Sequence, residues 1–195
     1  MEYAERRPKN IIIFTGLSAS GKSTVAERLS QEIGAPVISL RQEVLHPLAI
    51  ENGYSRARFW ILATCDNPLL LDLERNRLTQ VIQDRAEESK SANVIIDDLI
   101  DPGARAFLSG YFPESKISVV LIKSNRHLRR RWITKRMGIS TKESIQEQKW
   151  LDGVKVKAGI FRVIQSRDLV VKNMGKVEDA VACLREFLNG EDAVG

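Results

Sequence analysis

Eight consecutive residues, Gly16-Leu17-Ser18-Ala19-Ser20-Gly21-Lys22-Ser23, have the types and spacing needed to hold a phosphate chain. Glycines at both ends let the backbone N–H groups converge on one anion. The helix that follows directs its positive dipole end at the same point. Lys22 is placed to reach the β- and γ-phosphates, and Ser23 to ligate Mg²⁺. The binding set read from this run is Gly16, Ser18, Ala19, Ser20, Gly21, Lys22, Ser23 and Thr24. Composition alone would produce such a match in on the order of one chain in a hundred of this length. The apolar strand before it and the amphipathic helix after it lower that chance further.

Two carboxylates, Asp97 and Asp98, close the apolar run Val94-Ile95-Ile96. A carboxylate at a strand end can order Mg²⁺ or its water shell, and Asp97 is the better placed of the two. Adjacent residues in a strand point to opposite sides, so Asp98 needs another role. Asp98 or Asp101 could accept a proton from the acceptor, while the bland alternative for the pair is a cap on the next turn. Arg129, Arg130, Arg131, Lys135 and Arg136 crowd one helical stretch. Cations there can neutralise a transferring phosphoryl group, and Arg131 is the best single choice. The alternative is a solvated basic face or a nucleic-acid patch.

These groups need a scaffold, and short apolar runs alternating with helical periodicity describe one. Strands are expected at Ile11–Thr15, Pro36–Ser39, Asn93–Asp97, Lys116–Ile122 and Asp168–Lys172. Between them lie helices from about Lys22 to Gly34, from Ser39 through Ile50, over Arg58–Cys65, from Pro68 to about Ser89 and over Arg126–Arg136. A polar helical stretch to about Gly159 and a last helix with Val177, Val181, Leu184 and Leu188 follow. This is an α/β pattern with a mainly parallel sheet. Ligands of such sheets collect beyond the carboxyl ends of the strands, where Gly16 and Asp97 are delivered.

At 195 residues the chain suits one domain, and 43% apolar and 28% charged residues argue against disordered and membrane classes. No apolar run is long enough to span a bilayer and the N-terminus lacks a signal-peptide core, which favours the cytoplasm. Cys65 and Cys183 are far apart and read as buried free thiols. A net charge of +5 suggests an anionic partner without choosing among nucleotide, cofactor phosphate and nucleic acid. His46 and His127 read as packing or surface residues. Phe59, Trp60, Trp132 and Trp150 read as core or lid packing, with Trp60 beside Arg58 the one aromatic worth inspecting as a base platform.

In the order of these blocks the sequence resembles the nucleoside-monophosphate kinase group of P-loop proteins, especially its adenylate kinase-like and dephospho-coenzyme A kinase-like members. The resemblance runs from the phosphate loop through Val37-Ile38-Ser39, Val94–Asp97 and Val119–Ile122 to Asp168–Gly175. It implies a three-layer P-loop NTPase fold whose five-stranded parallel sheet has the order 2-3-1-4-5. It also implies a helical acceptor region over residues 40–90 and a short lid over residues 137–157, all within one domain. Arg41, Arg56 and Arg58 would hold an anionic acceptor, and Arg131 would approach the donor phosphates. The sequence departs from the group after Asp97, where a glycine and a nearby arginine are missing. Its lid segment carries Lys142, Lys149, Lys155 and Lys157 but no arginine.

The leading expectation is ATP- and Mg²⁺-dependent phosphoryl transfer to a small, nucleotide-like acceptor. A nucleotide-dependent regulatory ATPase or binding protein is one alternative, and a kinase acting on polynucleotide ends is another. Steep salt dependence of oligonucleotide binding would mark the last. A guanine-specific GTPase is disfavoured, because the chain has no Asn-Lys-x-Asp base-reading motif.

Overall fold

The computed structural model describes residues 7–55 and 68–190. Five strands, β1 (Asn10–Thr15), β2 (Val37–Ser39), β3 (Asn93–Asp97), β4 (Lys116–Lys123) and β5 (Leu169–Lys172), form one sheet in the order β2-β3-β1-β4-β5. Every neighbouring pair is parallel. The expected topology is therefore present.

The helices are α1 (Lys22–Ile33), α2 (His46–Glu51), α3 (Pro68–Ser89), α4 (Ala104–Tyr111), α5 (Arg126–Met137), α6 (Thr141–Lys157), α7 (Ile160–Gln165) and α8 (Val177–Leu188). A π-helical turn, Leu40–Leu45, joins β2 to α2. Gly34 ends α1 with a left-handed φ of 63°, a conformation open to glycine without steric cost. The sequence expectation had no helix over Ala104–Tyr111 or Ile160–Gln165. Both are short, and α4 is held by tertiary burial of Ala104 and Leu108. The helix expected at Arg58–Cys65 lies outside the described residues.

Alternation along the strands builds the three layers. Ile11 and Ile13 of β1, with Val94 and Ile96 of β3, face a core completed by Leu78 and Ile82 of α3 and Leu108 of α4. Ile12, Phe14 and Ile95 face the opposite core, filled by Val25 and Leu29 of α1 and by Val181 and Leu184 of α8. Strands covered on both faces read as unbroken apolar runs, as these do. Cys183 is half-buried on the second core, short of the full burial expected for it. Among the described residues no helix is long and apolar enough to cross a membrane.

Register then sets the site. Phe14 pairs with Asp97, and Ser39 pairs with Asp97 on its other side. The carboxyl ends of β1, β2 and β3 therefore meet on one edge, and the loop that begins at Gly16 rises from its centre.

Candidate active site

The loop conformation requires glycine at both ends. Gly16 has φ 142°, and a Cβ there would come within 2.5 Å of the Ile122 carbonyl oxygen. Gly21 has φ 85°, and its Cβ would come within 2.2 Å of Asn173 Nδ2. Ala19 also sits at positive φ, 56°, inside the loop. Asn173, at the end of β5, is buried and donates to the Ser20 carbonyl at 3.1 Å, tying the loop to the sheet edge. Trp132 of α5 borders the same Gly21 end.

Lys22 is buried and folded back onto the opposite end of the loop. Its Nζ donates to the carbonyl oxygens of Gly16 and Leu17, each at 3.1 Å, and lies 3.3 Å from Asp98 Oδ1. A second ammonium shares these partners. Lys155, in the last turn of α6, donates to Gly16 O at 3.0 Å and to Asp98 Oδ1. Its side chain is only 4% exposed. Burial, and next the charge of Lys22, push the Lys155 ammonium down to about 8 against the opposing pull of Asp98. In the sequence Lys155 is one of four lysines in its segment. No local signal separates it from them, because its burial is decided by α6 docking over the loop.

The two aspartates divide their roles, as their alternation requires. Ser23 Oγ donates to Asp97 Oδ2 at 2.6 Å, while Asp97 Oδ1 is buried and unpartnered. Burial, and then the neighbouring Asp98, raise the Asp97 carboxyl above its ordinary value against Ser23, Lys22 and Lys155. A hydroxyl and a half-satisfied carboxylate side by side are oxygen donors suited to Mg²⁺, which takes few protein ligands and keeps several waters. Ser23 and Asp97 fit that ion. Asp98 has a left-handed φ of 71°, sparsely populated for a non-glycine residue, which aims its carboxylate at the two lysines. Burial alone would raise its carboxyl, but the charges of Lys22 and Lys155 and their hydrogen bonds hold it below the usual range. Asp101, the other acid considered as a proton acceptor, is committed elsewhere. It is buried and accepts from Arg75 Nε at 2.8 Å, Arg75 Nη2 at 3.2 Å and Gly103 N at 2.8 Å.

The segment read as a lid is the helix α6, entered through a Ser140/Glu143 capping box and docked on α5. Arg129 pairs with Asp152, and Arg130 Nε donates to Gln148 Oε1 at 3.0 Å. Between these helices, the end of β4 and Leu17 lies a cavity of about 450 Å³ whose charged lining includes Arg126, Arg129, Lys149 and Asp152. Arg131 is exposed and does not line it. Helical spacing puts Arg126 and Arg129, three apart, on the inward face, while Arg131 points away.

Of the residues expected to bind the acceptor, Arg41 is exposed on the π-helical turn after β2, and Arg56 and Arg58 lie outside the described residues. Trp60 and Phe59 lie outside them as well. His127 is exposed, and His46 is half-buried at the start of α2.

A parallel 2-3-1-4-5 sheet with a glycine-bounded loop, its lysine and a Ser–Asp pair at the carboxyl edge defines a P-loop protein with the architecture of the small-molecule kinases. The family model AAA_33, an AAA domain, matches residues 11–156, and the chain belongs to that family. It is 30% identical over 139 residues to a cytidylate kinase of Ignicoccus hospitalis, spanning 70% of each protein. An uncharacterized protein from Eubacterium ventriosum superposes with a TM-score of 0.62 at 19% identity, over 93% of this chain and 99% of that one. A shikimate kinase from Bacteroides thetaiotaomicron gives 0.56 at 18% identity over 92% and 98%. A gluconokinase from Sinorhizobium meliloti gives 0.55 at 18% over 96% and 99%. At these identities the solved structures speak for the fold.

Proposed function

We propose that this protein is a kinase that transfers the γ-phosphoryl group of ATP, with Mg²⁺, to a small, nucleotide-like acceptor. The observation that carries the reading is the convergence of Lys22 and Lys155 on the Gly16 carbonyl and Asp98, beside the Ser23–Asp97 pair. Two ammonium groups share one carboxylate with Asp97 beside them, and both can turn N–H donors to the terminal phosphates of a nucleotide. The cytidylate kinase relative supports a nucleotide-like acceptor.

Binding begins when the loop N–H groups and the N-terminus of α1 take the phosphates and Lys22 turns from the loop carbonyls to the β- and γ-oxygens. Mg²⁺ held through Ser23 and Asp97 would neutralise charge on the β- and γ-phosphates. An acceptor oxygen in line with the γ-phosphorus forms the new P–O bond as the bond to the β-phosphate oxygen breaks, and ADP leaves with that electron pair. Lys22 and Lys155 are placed to stabilise the charge on the transferring group. Asp98 holds Lys155 over the loop, and engaged by two ammoniums it is a weak proton acceptor. An acceptor already ionised near neutral pH, such as a phosphate monoester, needs no stronger one. Arg131 acts in this reading only if the α5–α6 pair moves it toward the phosphates. Arg41, Arg56 and Arg58 belong to the stretch that would grip the rest of the acceptor.

The test is an assay with ATP and Mg²⁺ over nucleoside monophosphates, dephospho-coenzyme A, nucleosides and short oligonucleotides, with each product identified by mass. A phosphorylated small molecule supports the proposal. ADP and free phosphate alone would replace it with a regulatory ATPase, and a phosphorylated oligonucleotide end with a polynucleotide kinase.

A further inference from the structure

Among the described residues, buried side-chain polar atoms without a hydrogen-bond partner fall into two groups. Thr15 Oγ1, Ser20 Oγ and Asp97 Oδ1 lie in or beside the phosphate loop. Ser124 Oγ, Arg129 Nε and Asp152 Oδ1 belong to three residues that line the cavity between α5 and α6. Folded proteins rarely leave such atoms unpaired, because each has given up water without a replacement. Three of them around one cavity mark a place where a ligand supplies the partners. The cavity meets the phosphate loop at Leu17 alone, and none of Lys22, Ser23, Asp97, Asp98 and Lys155 lines it. A molecule held there is out of contact with the groups that hold the reacting phosphates.

We propose that the cavity is an effector site, separate from donor and acceptor, for a small hydroxylated dicarboxylate, and that the bound dianion clamps α6 over the phosphate loop. The site goes beyond the kinase reading and does not require it. Charge selects a dianion, because Arg126, Arg129 and Lys149 stand against the single carboxylate of Asp152 and leave two positive charges in excess. These cations stand on both walls, Arg126 and Arg129 on α5 and Lys149 on α6, so a ligand with a carboxylate at each end meets both. Arg129 is 4% exposed and spends Nη2 on Asp152, leaving its Nε–H as an unused donor for an oxyanion. Asp152 Oδ1, on the carboxylate that pairs with Arg129, only accepts. Its missing partner is therefore a donor on the ligand, which selects a hydroxylated anion over a bare one. The cavity volume of about 450 Å³ suits a small molecule.

The clamp follows from the origin of the two walls. A dianion that bridges α5 and α6 adds to the links made by Arg129 with Asp152 and by Arg130 with Gln148. Lys155 lies three residues beyond Asp152, on the same side of α6. It donates to Gly16 O at 3.0 Å and to Asp98. If α6 leaves α5 the ligand loses one wall of its site. It therefore binds the docked form more tightly and raises the population in which Lys155 sits on the loop.

The experiment is calorimetric titration of malate and succinate into the full chain saturated with Mg²⁺ and adenylyl imidodiphosphate, a non-hydrolysable ATP analogue that keeps the phosphate loop filled. Malate has two carboxylates and a hydroxyl, and succinate lacks only the hydroxyl. Malate should bind, and succinate should bind about tenfold more weakly. In the Arg126→Met/Lys149→Met variant, both positions exposed and so tolerant of change, malate binding should weaken about tenfold or more while affinity for the analogue stays within about twofold. Hydrogen exchange followed by mass spectrometry should slow over Thr141–Lys157 when malate is added to the wild type, and not in the double variant. The proposal is overturned if neither dicarboxylate binds, or if the double variant binds malate as the wild type does. Malate binding only without the analogue, or loss of analogue affinity in step, would give the cavity to the nucleotide. Malate recovered in phosphorylated form after incubation with ATP would make it an acceptor and end the effector role. Binding with unchanged exchange over α6 would overturn the clamp.

Discussion

The two ends of the phosphate loop are built by different means. The Gly21 end and α1 are local, because glycine, lysine and serine follow one another in the chain and the backbone itself forms the anion cradle. The Leu17 end is assembled from a distance. Lys155 arrives from 139 positions along the chain, and Asp98 and the cavity wall come from three further elements. A local cradle tolerates little change of residue type at its fixed positions. An assembled wall can change its residues while keeping its charge.

The largest effect should come from the local half. Lys22→Ala should lower turnover about a hundred- to a thousandfold with an unchanged circular dichroism spectrum. Near-normal rates would remove the lysine from the chemistry. Asp97→Asn should cost about a hundredfold at low Mg²⁺ and recover partly as Mg²⁺ is raised, because it weakens one ligand of the ion without reshaping the loop. A Mg²⁺ titration of initial rates reads this directly, and an unchanged midpoint would shift the role from Asp97.

The assembled half sharpens the comparison through two cations of α6 and α5. Lys155→Met should lower kcat about tenfold to a hundredfold and leave the KM for ATP nearly unchanged, because the lysine meets the charge that develops during transfer. Arg131→Met should change kcat by less than about threefold, as for an exposed charge. A large loss at Arg131 would show that the α5–α6 pair moves during turnover and carries that arginine inward.

The smallest effect concerns stability and lies away from the loop. Glu74 of α3 is buried, and burial first, then the charge of Asp101, push its carboxyl up to about 8 against Arg75. An unfolded chain loses that proton near 4.5 and the folded one near 8, so stability falls as pH rises through this window. Glu74→Gln should therefore raise the melting temperature by about 3–6 °C at pH 8.5 and leave it unchanged at pH 4. Equal shifts at both values would trace the effect to packing.

Much of this molecule is legible along the chain. The unbroken Ile11-Ile12-Ile13-Phe14 run could only be a strand covered on both faces, and Gly16–Ser23 could only follow it as a phosphate loop. The strand-end position singles out Asp97, which in the structure accepts a hydrogen bond from Ser23. The arginine helix is less informative, since six cations within the eleven residues from Arg126 to Arg136 surround it on every side and only docking against α6 turns Arg129 inward and Arg131 out. Lys155 was equally hidden among the lysines of its segment.

What the sequence by itself determined is therefore the strand order's raw material, the loop and the carboxylate beside it. Those features follow from backbone conformation and from residues within a few positions of one another. The partner of Asp98, the inward arginine, the engagement of Asp101 and the cavity were decided by tertiary structure. Burial and pairing of a charge depend on which helices pack together, and that packing is set by apolar faces lying elsewhere in the chain.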